Sequence, residues 1–479
     1  MSPPRRSAPH LLFHRCGADD KALVPCWRGE TGVSLQGYDA AVLSAGGVPR
    51  KEFDAFRSGR LEPFRSGALD PLRGIRSALR YLGNKTPLLG EIVEAARDLG
   101  FEGGTVCDLF AGSGAVGRKF RQLGCRVLST DLMHCSWVLQ KVFLECPGPP
   151  RFSALEDLWG SVEPLGDERL AAAEPADPAA WEVLLRMLRW LEEEAPESTG
   201  LLTRQYSPAG VEKRGYLTAE NARRIDGILE MVRKWREEGT ITEGESMLLL
   251  ASVIDASDRV ANISGTYGAY LKSWQPNALQ PLQLRVPDVV SGPIGEANRK
   301  DALEWIAGVE ADLLYIDPPY NQRQYPANYH LLDVIVRLLE EPDLEALEAL
   351  ERSIYGKTGL VPWQEQASPL CSRRRNDCHD AFATILEATT IPRVVISYNE
   401  EGIISREEFE AMLSSYSGVD FTRLKNPLRE ISHRRFRSDA DGNIARTGAG
   451  RSYRQLEGRQ TDEVHEWLFA VSRQEGRVR

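Results

Sequence analysis

The sequence has no excess of positive charge, no apolar run long enough to cross a membrane and no closely spaced cysteine pair. Its 59 Lys and Arg residues are outnumbered by 69 Asp and Glu residues, for a net charge of −10. The overall charge therefore does not indicate a polyanionic partner, and any nucleic-acid surface must be local. None of the eight cysteines belongs to a CxxC pair, so we expect reduced core thiols and no bound metal.

The start of the chain also lacks the apolar segment of a secretion signal, and no stretch approaches the roughly 20 apolar residues of a membrane span. These absences predict a cytoplasmic protein with no membrane association. A chain of 479 residues exceeds one typical domain, so two domains with appendages are expected.

Composition and periodicity divide the chain into three parts. Residues 1–71 mix Gly, Pro, Arg and Ser with weak periodicity, which indicates a partly disordered N-terminal extension. Strand and helix patterns alternate over 72–149 and again over 296–479, which predicts one α/β domain interrupted by an insertion. The intervening residues 150–295 contain amphipathic helical patterns and indicate a mainly helical region.

One apolar run ends in an unusual tetrapeptide. The run at residues 312–316 predicts a buried parallel strand, and Asp317, Pro318, Pro319 and Tyr320 follow it directly. Open α/β sheets place their chemistry at this carboxyl edge. A carboxylate, backbone carbonyls held by two prolines and a flat ring together suit an exocyclic amino group on an aromatic base. By itself, the tetrapeptide fits an ordinary turn equally well.

A second pattern predicts an adenosine-binding edge. The strand ending at Asp108 leads through Phe110 into the turn formed by Gly112 and Gly114, where the missing side chains allow a ligand to approach the backbone. The next predicted strand ends in Asp131, the position from which an acid holds the two hydroxyls of a ribose. No Gly-Lys-Ser/Thr follows the turn, so it differs from a P-loop.

Candidate nucleic-acid contacts come from basic and aromatic segments. The helix predicted over residues 219–238 carries basic residues on one face, and the glycine- and aromatic-rich segment at 262–274 has the composition of a base- or phosphate-contacting loop. A long arginine-rich loop separates two predicted paired strands, at 419–424 and 464–471. The predicted DNA-binding residues are Arg223, Arg224, Tyr267, Lys272, Arg323, Tyr329, Arg434, Arg435 and Arg437.

In this order and spacing, the motifs resemble the Dam-like class of adenine-specific DNA methyltransferases. The resemblance rests on Tyr-Leu-Gly-Asn-Lys at 81–85, Asp-Leu-Phe-Ala-Gly-Ser-Gly at 108–114 and Asp-Pro-Pro-Tyr at 317–320, with a long insert before the last. The continuation Tyr-Asn-Gln-Arg-Gln-Tyr at 320–325 is most similar to adenine methylases of restriction-modification systems. Many members of this class have Gly or Ser at the position of Asn84, but Lys85 keeps its position in the motif.

The resemblance implies a fold and a set of site residues. The expected fold is the seven-stranded, Rossmann-like α/β sheet of class I S-adenosylmethionine-dependent methyltransferases, with an inserted target-recognition domain. The implied cofactor is S-adenosylmethionine, with S-adenosylhomocysteine as product, and no metal. The implied cofactor-binding residues are Tyr81, Lys85, Asp108, Phe110, Gly112, Gly114, Asp131 and Asp301. The implied catalytic residues are Asp317, Pro318, Pro319 and Tyr320, with Tyr320 stacking on a flipped adenine.

The expected activity is methylation of the 6-amino group of adenine in double-stranded DNA by a cytoplasmic monomer that associates with the nucleoid through DNA. A cognate restriction endonuclease is the implied partner. Two alternatives remain at this point, namely methylation of an amino group in RNA and a catalytically silent DNA-binding subunit of a defence system. Cofactor binding separates the second alternative from an enzyme.

Overall fold

The computed structural model describes residues 12–15, 23–26, 74–159, 181–372, 374–434 and 463–473. Residues 1–60 and 72–74 group as one unit, in which strands β1 (Leu12–Arg15) and β2 (Leu23–Cys26) pair antiparallel. The other residues of the predicted N-terminal extension (1–71), together with residues 72 and 73, lie outside the described part of the chain. The fold and the site described below belong to the second unit, residues 61–71 and 75–479.

A seven-stranded sheet forms the centre of this unit, in the order β5-β4-β3-β6-β7-β9-β8. The first five strands in that order are mutually parallel, and β9 pairs antiparallel with both β7 and β8. This confirms the predicted seven-stranded α/β class. The strands are β3 (Thr105–Asp108), β4 (Arg126–Thr130), β5 (Glu296–Asn298), β6 (Leu313–Ile316), β7 (Arg393–Asn399), β8 (Leu428–Arg434) and β9 (Glu463–Ser472).

Helices cover both faces of the sheet. The α-helices of the second unit in the described residues are α1 (Leu89–Asp98), α2 (Ala115–Gln122), α3 (His134–Gln140), α4 (Glu156–Trp159), α5 (Glu182–Glu193), α6 (Leu201–Tyr206), α7 (Ala219–Glu237), α8 (Glu243–Val260), α9 (Ala302–Trp305), α10 (Tyr325–Asn328), α11 (His330–Glu340), α12 (Leu344–Ser353), α13 (Arg375–Ala388) and α14 (Arg406–Ser417). Short 3₁₀ or π turns lie at Thr86–Leu88, Lys141–Glu145, Ser153–Leu155, Ile306–Gly308, Gln364–Gln366, Pro369–Cys371 and Phe421–Arg423.

The helix boundaries follow local capping chemistry. Thr242 and Glu245 form a reciprocal capping box at the start of α8, and Ser405 and Glu408 do the same for α14. Each box satisfies backbone N–H groups that have no partner within the helix. Gly418 ends α14 in the left-handed conformation, with φ 75°, which a residue without a Cβ adopts at little cost. None of the helices in the described ranges is long and apolar enough to cross a membrane.

Residues of the predicted insert share a core with the catalytic region. One continuous hydrophobic cluster joins α5, α6, α7 and α8 to α3 and α11, while a second cluster packs α9, α13 and α14 against the sheet. The described part of the helical region therefore belongs to the same compact unit as the sheet. Its function in target recognition remains a prediction.

A buried ion pair anchors α2 to the segment before β5. Arg118 Nη1 contacts Asp288 Oδ2 at 2.9 Å, and both side chains are almost inaccessible to solvent. The Arg76 backbone N–H also donates to this carboxylate, at 3.0 Å, and the Arg118 guanidinium lies 4.2 Å from the centre of the Phe143 ring. The arrangement balances a charge that burial alone would make costly.

Removing the acid of this pair tests that balance. Asp288→Ala leaves the Arg118 charge without its carboxylate, so we expect the free energy of unfolding to fall by about 3–5 kcal/mol in urea denaturation. The matched control is Glu296→Ala, which breaks the exposed pair with Arg126 (3.8 Å) and is expected to cost about 0–1 kcal/mol. Equal losses in the two variants would contradict this account.

Candidate active site

The carboxyl ends of β3, β4 and β6 meet at one edge of the sheet and line a cleft. Its empty volume, including space open to solvent, is about 970 Å³. Eleven of the twelve residues predicted to bind cofactor or act in catalysis line it: Tyr81, Lys85, Asp108, Phe110, Gly112, Asp131, Asp301, Asp317, Pro318, Pro319 and Tyr320. The structure thus brings the three separated motifs together, although their individual roles remain predictions.

Gly114, the twelfth residue, lies behind the wall of the cleft. It caps the N-terminus of α2 in the left-handed conformation, with φ 75°. A Cβ at this position would lie 2.8 Å from Gln140 Nε2 and 2.9 Å from the Phe143 ring, closer than normal contacts allow. Gly114 therefore shapes the turn and does not itself face the cleft.

Gly112 and Asp131 join the ends of two neighbouring strands. The Gly112 N–H donates to Asp131 Oδ2 at 2.9 Å, and the Met133 N–H donates to Asp131 Oδ1 at 2.9 Å. Burial raises the pKa of Asp131 to about 6, and these N–H groups oppose the rise. The carboxylate is thereby fixed in orientation at the edge of the cleft, where each oxygen has a lone pair left for a further donor.

Tyr81 covers the glycine turn. A Cβ at Gly112 would lie 2.9 Å from Tyr81 Cε1, and φ at Gly112 is 49°. The Tyr81 ring stacks on Tyr329 at a centroid distance of 4.8 Å and lies 5.6 Å from Tyr325. The aromatic cluster holds the ring against the glycine backbone, so the two form one apolar wall of the cleft.

Lys85 bridges two carboxylates from different strands. Its Nζ lies 2.8 Å from Asp317 Oδ1 and 3.0 Å from Glu466 Oε1, and it donates to the Gly83 carbonyl at 3.0 Å. Burial alone would lower the pKa of Lys85, but Asp317 and Glu466 hold it well above its usual value. The ammonium is therefore charged, and its charge is balanced by two carboxylates.

Glu466 is the residue of this cluster that the sequence motifs did not predict. It lies on β9, far along the chain from the other members, and is 4% exposed. The one available signal was a glutamate between the buried positions Val464 and Leu468 in an apolar strand. A buried acid in such a strand requires a cation partner.

Burial sets the ionisation of the carboxylates in the cleft. It raises the pKa of Asp317 to about 7; Lys85 opposes the rise and Glu466 adds to it. The pKa of Asp108 rises to about 8, through burial first and the charge of Asp317 second, and the Gly117 N–H only partly offsets this. Neither Asp108 oxygen makes a hydrogen bond of normal geometry with the described residues. The inner cleft is therefore rich in acceptors and suits a ligand that carries positive charge or N–H groups.

Asp301 and Tyr320 lie at other points of the cleft wall. Asp301 caps α9, where its Oδ1 accepts from the Leu303 N–H at 2.8 Å. The Tyr320 ring is partly exposed to the cleft and packs edge-on against Tyr398, with a centroid distance of 6.1 Å. The Tyr320 carbonyl accepts from the Ile403 N–H at 3.1 Å, which fixes the end of the tetrapeptide.

Two predicted DNA contacts are wrong as direct contacts. Tyr267 and Tyr329 are each 0% exposed. The Tyr267 hydroxyl donates to Asp258 Oδ1 at 2.8 Å, and the Tyr329 hydroxyl accepts from the Leu82 N–H at 2.8 Å. The aromatic composition of these segments reflects core packing beside the cleft, where each hydroxyl has an internal partner.

The other predicted DNA contacts have different surroundings. Lys272 and Arg323 are exposed. Arg223 and Arg224 lie on α7 and form ion pairs with Glu197 at 3.3 Å and 3.1 Å, which leaves their role in DNA binding a prediction. Arg434 ends β8, but its side chain, like all of Arg435 and Arg437, lies outside the described residues.

The donor set of the cleft fits S-adenosylmethionine. The Gly112 backbone lines the cleft, Asp131 offers acceptors for hydroxyl groups, and the buried oxygens of Asp108 offer acceptors for an amino group. Across the described ranges, no three or more His, Cys, Asp and Glu side chains are grouped so as to hold a metal ion.

A methyl group added at Gly112 tests the glycine wall. Gly112→Ala places a Cβ against Tyr81 and strains a left-handed backbone, so we expect S-adenosylmethionine to bind at least about tenfold more weakly in calorimetry. Gly100→Ala is the matched control, because φ there is 71° and a Cβ would meet nothing within 4 Å. The same affinity in both variants would show that the ligand does not approach Gly112.

Comparison with known proteins agrees with this geometry. The family model for D12 class N6 adenine-specific DNA methyltransferases matches residues 81–164 and 192–349, about half of the chain. The chain is 34% identical to the type II methyltransferase M.FokI of Planomicrobium okeanokoites, over 82% of this chain and 53% of that protein. It is 30% identical to the modification methylase StsI of Streptococcus sanguinis, over 82% of this chain and 52% of that protein.

The chain thus spans about half the length of these two relatives. A further relative, the type II methyltransferase M.NlaIII of Neisseria lactamica, is 30% identical over 70% of this chain and 85% of that protein. The matched ranges include the Tyr81–Lys85 motif, the glycine turn and the Asp317–Tyr320 motif. The chain belongs to the family of D12 class N6 adenine-specific DNA methyltransferases.

Proposed function

We propose that this protein transfers a methyl group from S-adenosylmethionine to the 6-amino group of a flipped adenine in double-stranded DNA, as the modification enzyme of a restriction-modification system. The observation that carries the proposal is the position of Asp317, Pro318, Pro319 and Tyr320 in the same cleft as the glycine turn and Asp131. A group that accepts N–H bonds then lies beside the expected binding site of a methyl donor. The names of the relatives, which include type II methyltransferases, support this assignment.

The role of Asp317 follows from its charge and its position. The adenine amino group is a weak nucleophile because its lone pair is delocalised into the ring. A carboxylate that accepts an N–H bond localises that pair toward the incoming methyl group. Lys85, at 2.8 Å, favours the ionised form of Asp317 that this role requires. S-adenosylmethionine, when bound, supplies an electrophilic methyl group on a sulfonium, whose positive charge suits the acidic cleft.

Tyr320 and the exposed basic residues would bring the base to Asp317. The partly exposed Tyr320 ring offers a flat surface for a flipped base, and stacking of this kind is worth about 1–3 kcal/mol. Lys272 and Arg323 are exposed, and phosphate contacts from such residues would offset the few kcal/mol that flipping costs. A cognate endonuclease, a monomeric state and a cytoplasmic location are parts of this proposal.

Loss of the carboxylate separates catalysis from binding. In Asp317→Ala, Glu466 still pairs with Lys85, so we expect a folded protein with S-adenosylmethionine affinity within about threefold of wild type and at least about a hundredfold slower transfer. The measurement is tritiated methyl transfer to DNA from a host without adenine methylation, together with calorimetry of the cofactor.

Asp380→Ala is the control, because it removes an acid whose side chain is 80% exposed and is expected to leave the transfer rate unchanged. Wild-type turnover by Asp317→Ala would refute the assignment of Asp317. Absence of cofactor binding in the wild-type protein, with or without DNA, would instead favour a DNA-binding subunit without catalysis.

A further inference from the structure

The buried side of the Lys85 cluster contains a carboxylate to which the proposed reaction assigns no role. Asp317 lines the cleft, whereas Glu466 does not and lies on the far side of Lys85. The Lys85 ammonium forms ion pairs with both carboxylates and donates a hydrogen bond to the Gly83 carbonyl. Glu466 can therefore reach a substrate only through its effect on Lys85.

The backbone fixes the position of Glu466. It lies in the middle of β9, directly opposite Asn399 of β7, and β9 is paired on both edges. Asn399 Nδ2 lies 3.5 Å from Glu466 Oε2. A carboxylate on a central strand of a sheet has little freedom to move, which is what a group that positions another requires.

We propose that Glu466 is a positioning residue, which holds Lys85 and takes up part of its charge so that Asp317 stays a strong acceptor for the substrate amino group. The proposal rests on the methyl transfer proposed above. It assigns Glu466 no contact with cofactor or DNA.

The charge count explains why a second carboxylate is needed. With Asp317 and Glu466 ionised and Lys85 protonated, the three side chains carry a net charge of −1. Without Glu466, Lys85 would neutralise Asp317 alone and draw electron density away from the oxygen that must accept the substrate N–H. The pKa of Asp317 agrees with this charge count: Lys85 lowers that pKa and Glu466 raises it, so Glu466 opposes the effect of Lys85.

The other ionisable groups that face the cluster are unchanged in the Glu466 variants below. His465, the neighbour of Glu466 on β9, pairs with Glu400 at 3.1 Å and has no contact with Lys85. The groups that face Lys85, Asp317 or Tyr320 from adjacent elements are Asp108, Tyr315, Tyr325, Tyr329 and Glu401. A difference between wild type and a Glu466 variant therefore reports the charge at position 466.

The first test is Glu466→Gln, measured as the single-turnover rate against pH with saturating S-adenosylmethionine and DNA. Because the rate requires ionised Asp317, the wild-type rate is expected to fall as the pH drops through about 7. In Glu466→Gln, we expect this fall to move to lower pH by at least about half a unit. We also expect the rate above pH 8 to drop roughly tenfold, with cofactor affinity within about threefold, as loss of a supporting partner predicts.

Glu400→Gln is the matched control. It removes one negative charge at the same end of the β7–β9 pair, but Glu400 contacts His465 and is about one-third exposed. We expect its pH profile and rate to match those of wild type. Identical profiles for Glu466→Gln and Glu400→Gln would overturn the proposal.

Two further variants keep the proposal testable if Glu466→Gln does not fold. Glu466→Asp keeps the negative charge but moves it away from Lys85, because the side chain is shorter. We expect its transfer rate to lie between those of wild type and Glu466→Gln. A rate equal to that of wild type contradicts the proposal. In a Lys85→Gln background, adding Glu466→Gln should change the rate less than about twofold, because Glu466 acts through Lys85. If Glu466→Gln lowers the rate in the Lys85→Gln background as much as it does in wild type, then Glu466 acts independently of Lys85 and its role is purely structural.

A titration of Asp317 in the absence of methyl transfer completes the test. Aspartate-selective ¹³C NMR of the free protein follows the ionisation of Asp317, whose midpoint should lie at lower pH in Glu466→Gln than in wild type. An unchanged midpoint overturns the proposal. If wild type transfers no methyl group to DNA, the proposed function fails, while this titration still decides whether Glu466 controls Asp317.

Discussion

The ion cluster in which Lys85 lies between Asp317 and Glu466 is the constraint on which the site depends. It joins the loop before α1, the end of β6 and the middle of β9. Three parts of the chain that are distant in sequence must therefore be folded together before Asp317 is held in place. Burial makes each charge costly on its own, so each carboxylate depends on its ion pair with Lys85. The antiparallel insertion of β9 beside β7 is what brings Glu466 to this point.

The remaining wall of the cleft depends on close packing. The glycine backbone at Gly112 admits the Tyr81 ring at contact distance, and Tyr329 and Tyr325 support that ring from behind. Helices α7, α8 and α11 pack in the same hydrophobic cluster as these tyrosines. Helices α7, α8 and α11 and the proposed cofactor wall are thus parts of one core.

Local sequence predicted much of this arrangement, and its failures have physical causes. Periodicity predicted α7 to within a residue, because amphipathic spacing is a local signal. The predicted strand at 419–424 was wrong: residues Phe421–Arg423 form a 3₁₀ turn and β8 begins at Leu428. Glu466 was missed because its partner, Lys85, is brought to it only by the completed sheet. Tyr267 was misassigned because composition does not reveal which face of a loop is buried.

The central claim is that the cleft methylates adenine amino groups in DNA. The most direct measurement is to express the protein in a host without adenine methylation and to map modified bases across the genome by single-molecule sequencing. The account predicts N6-methyladenine at one short recurring sequence, and its absence when Asp317→Ala is expressed to the same level. Unmodified adenine in both strains, or modified cytosine in the strain that carries the wild-type protein, would contradict it.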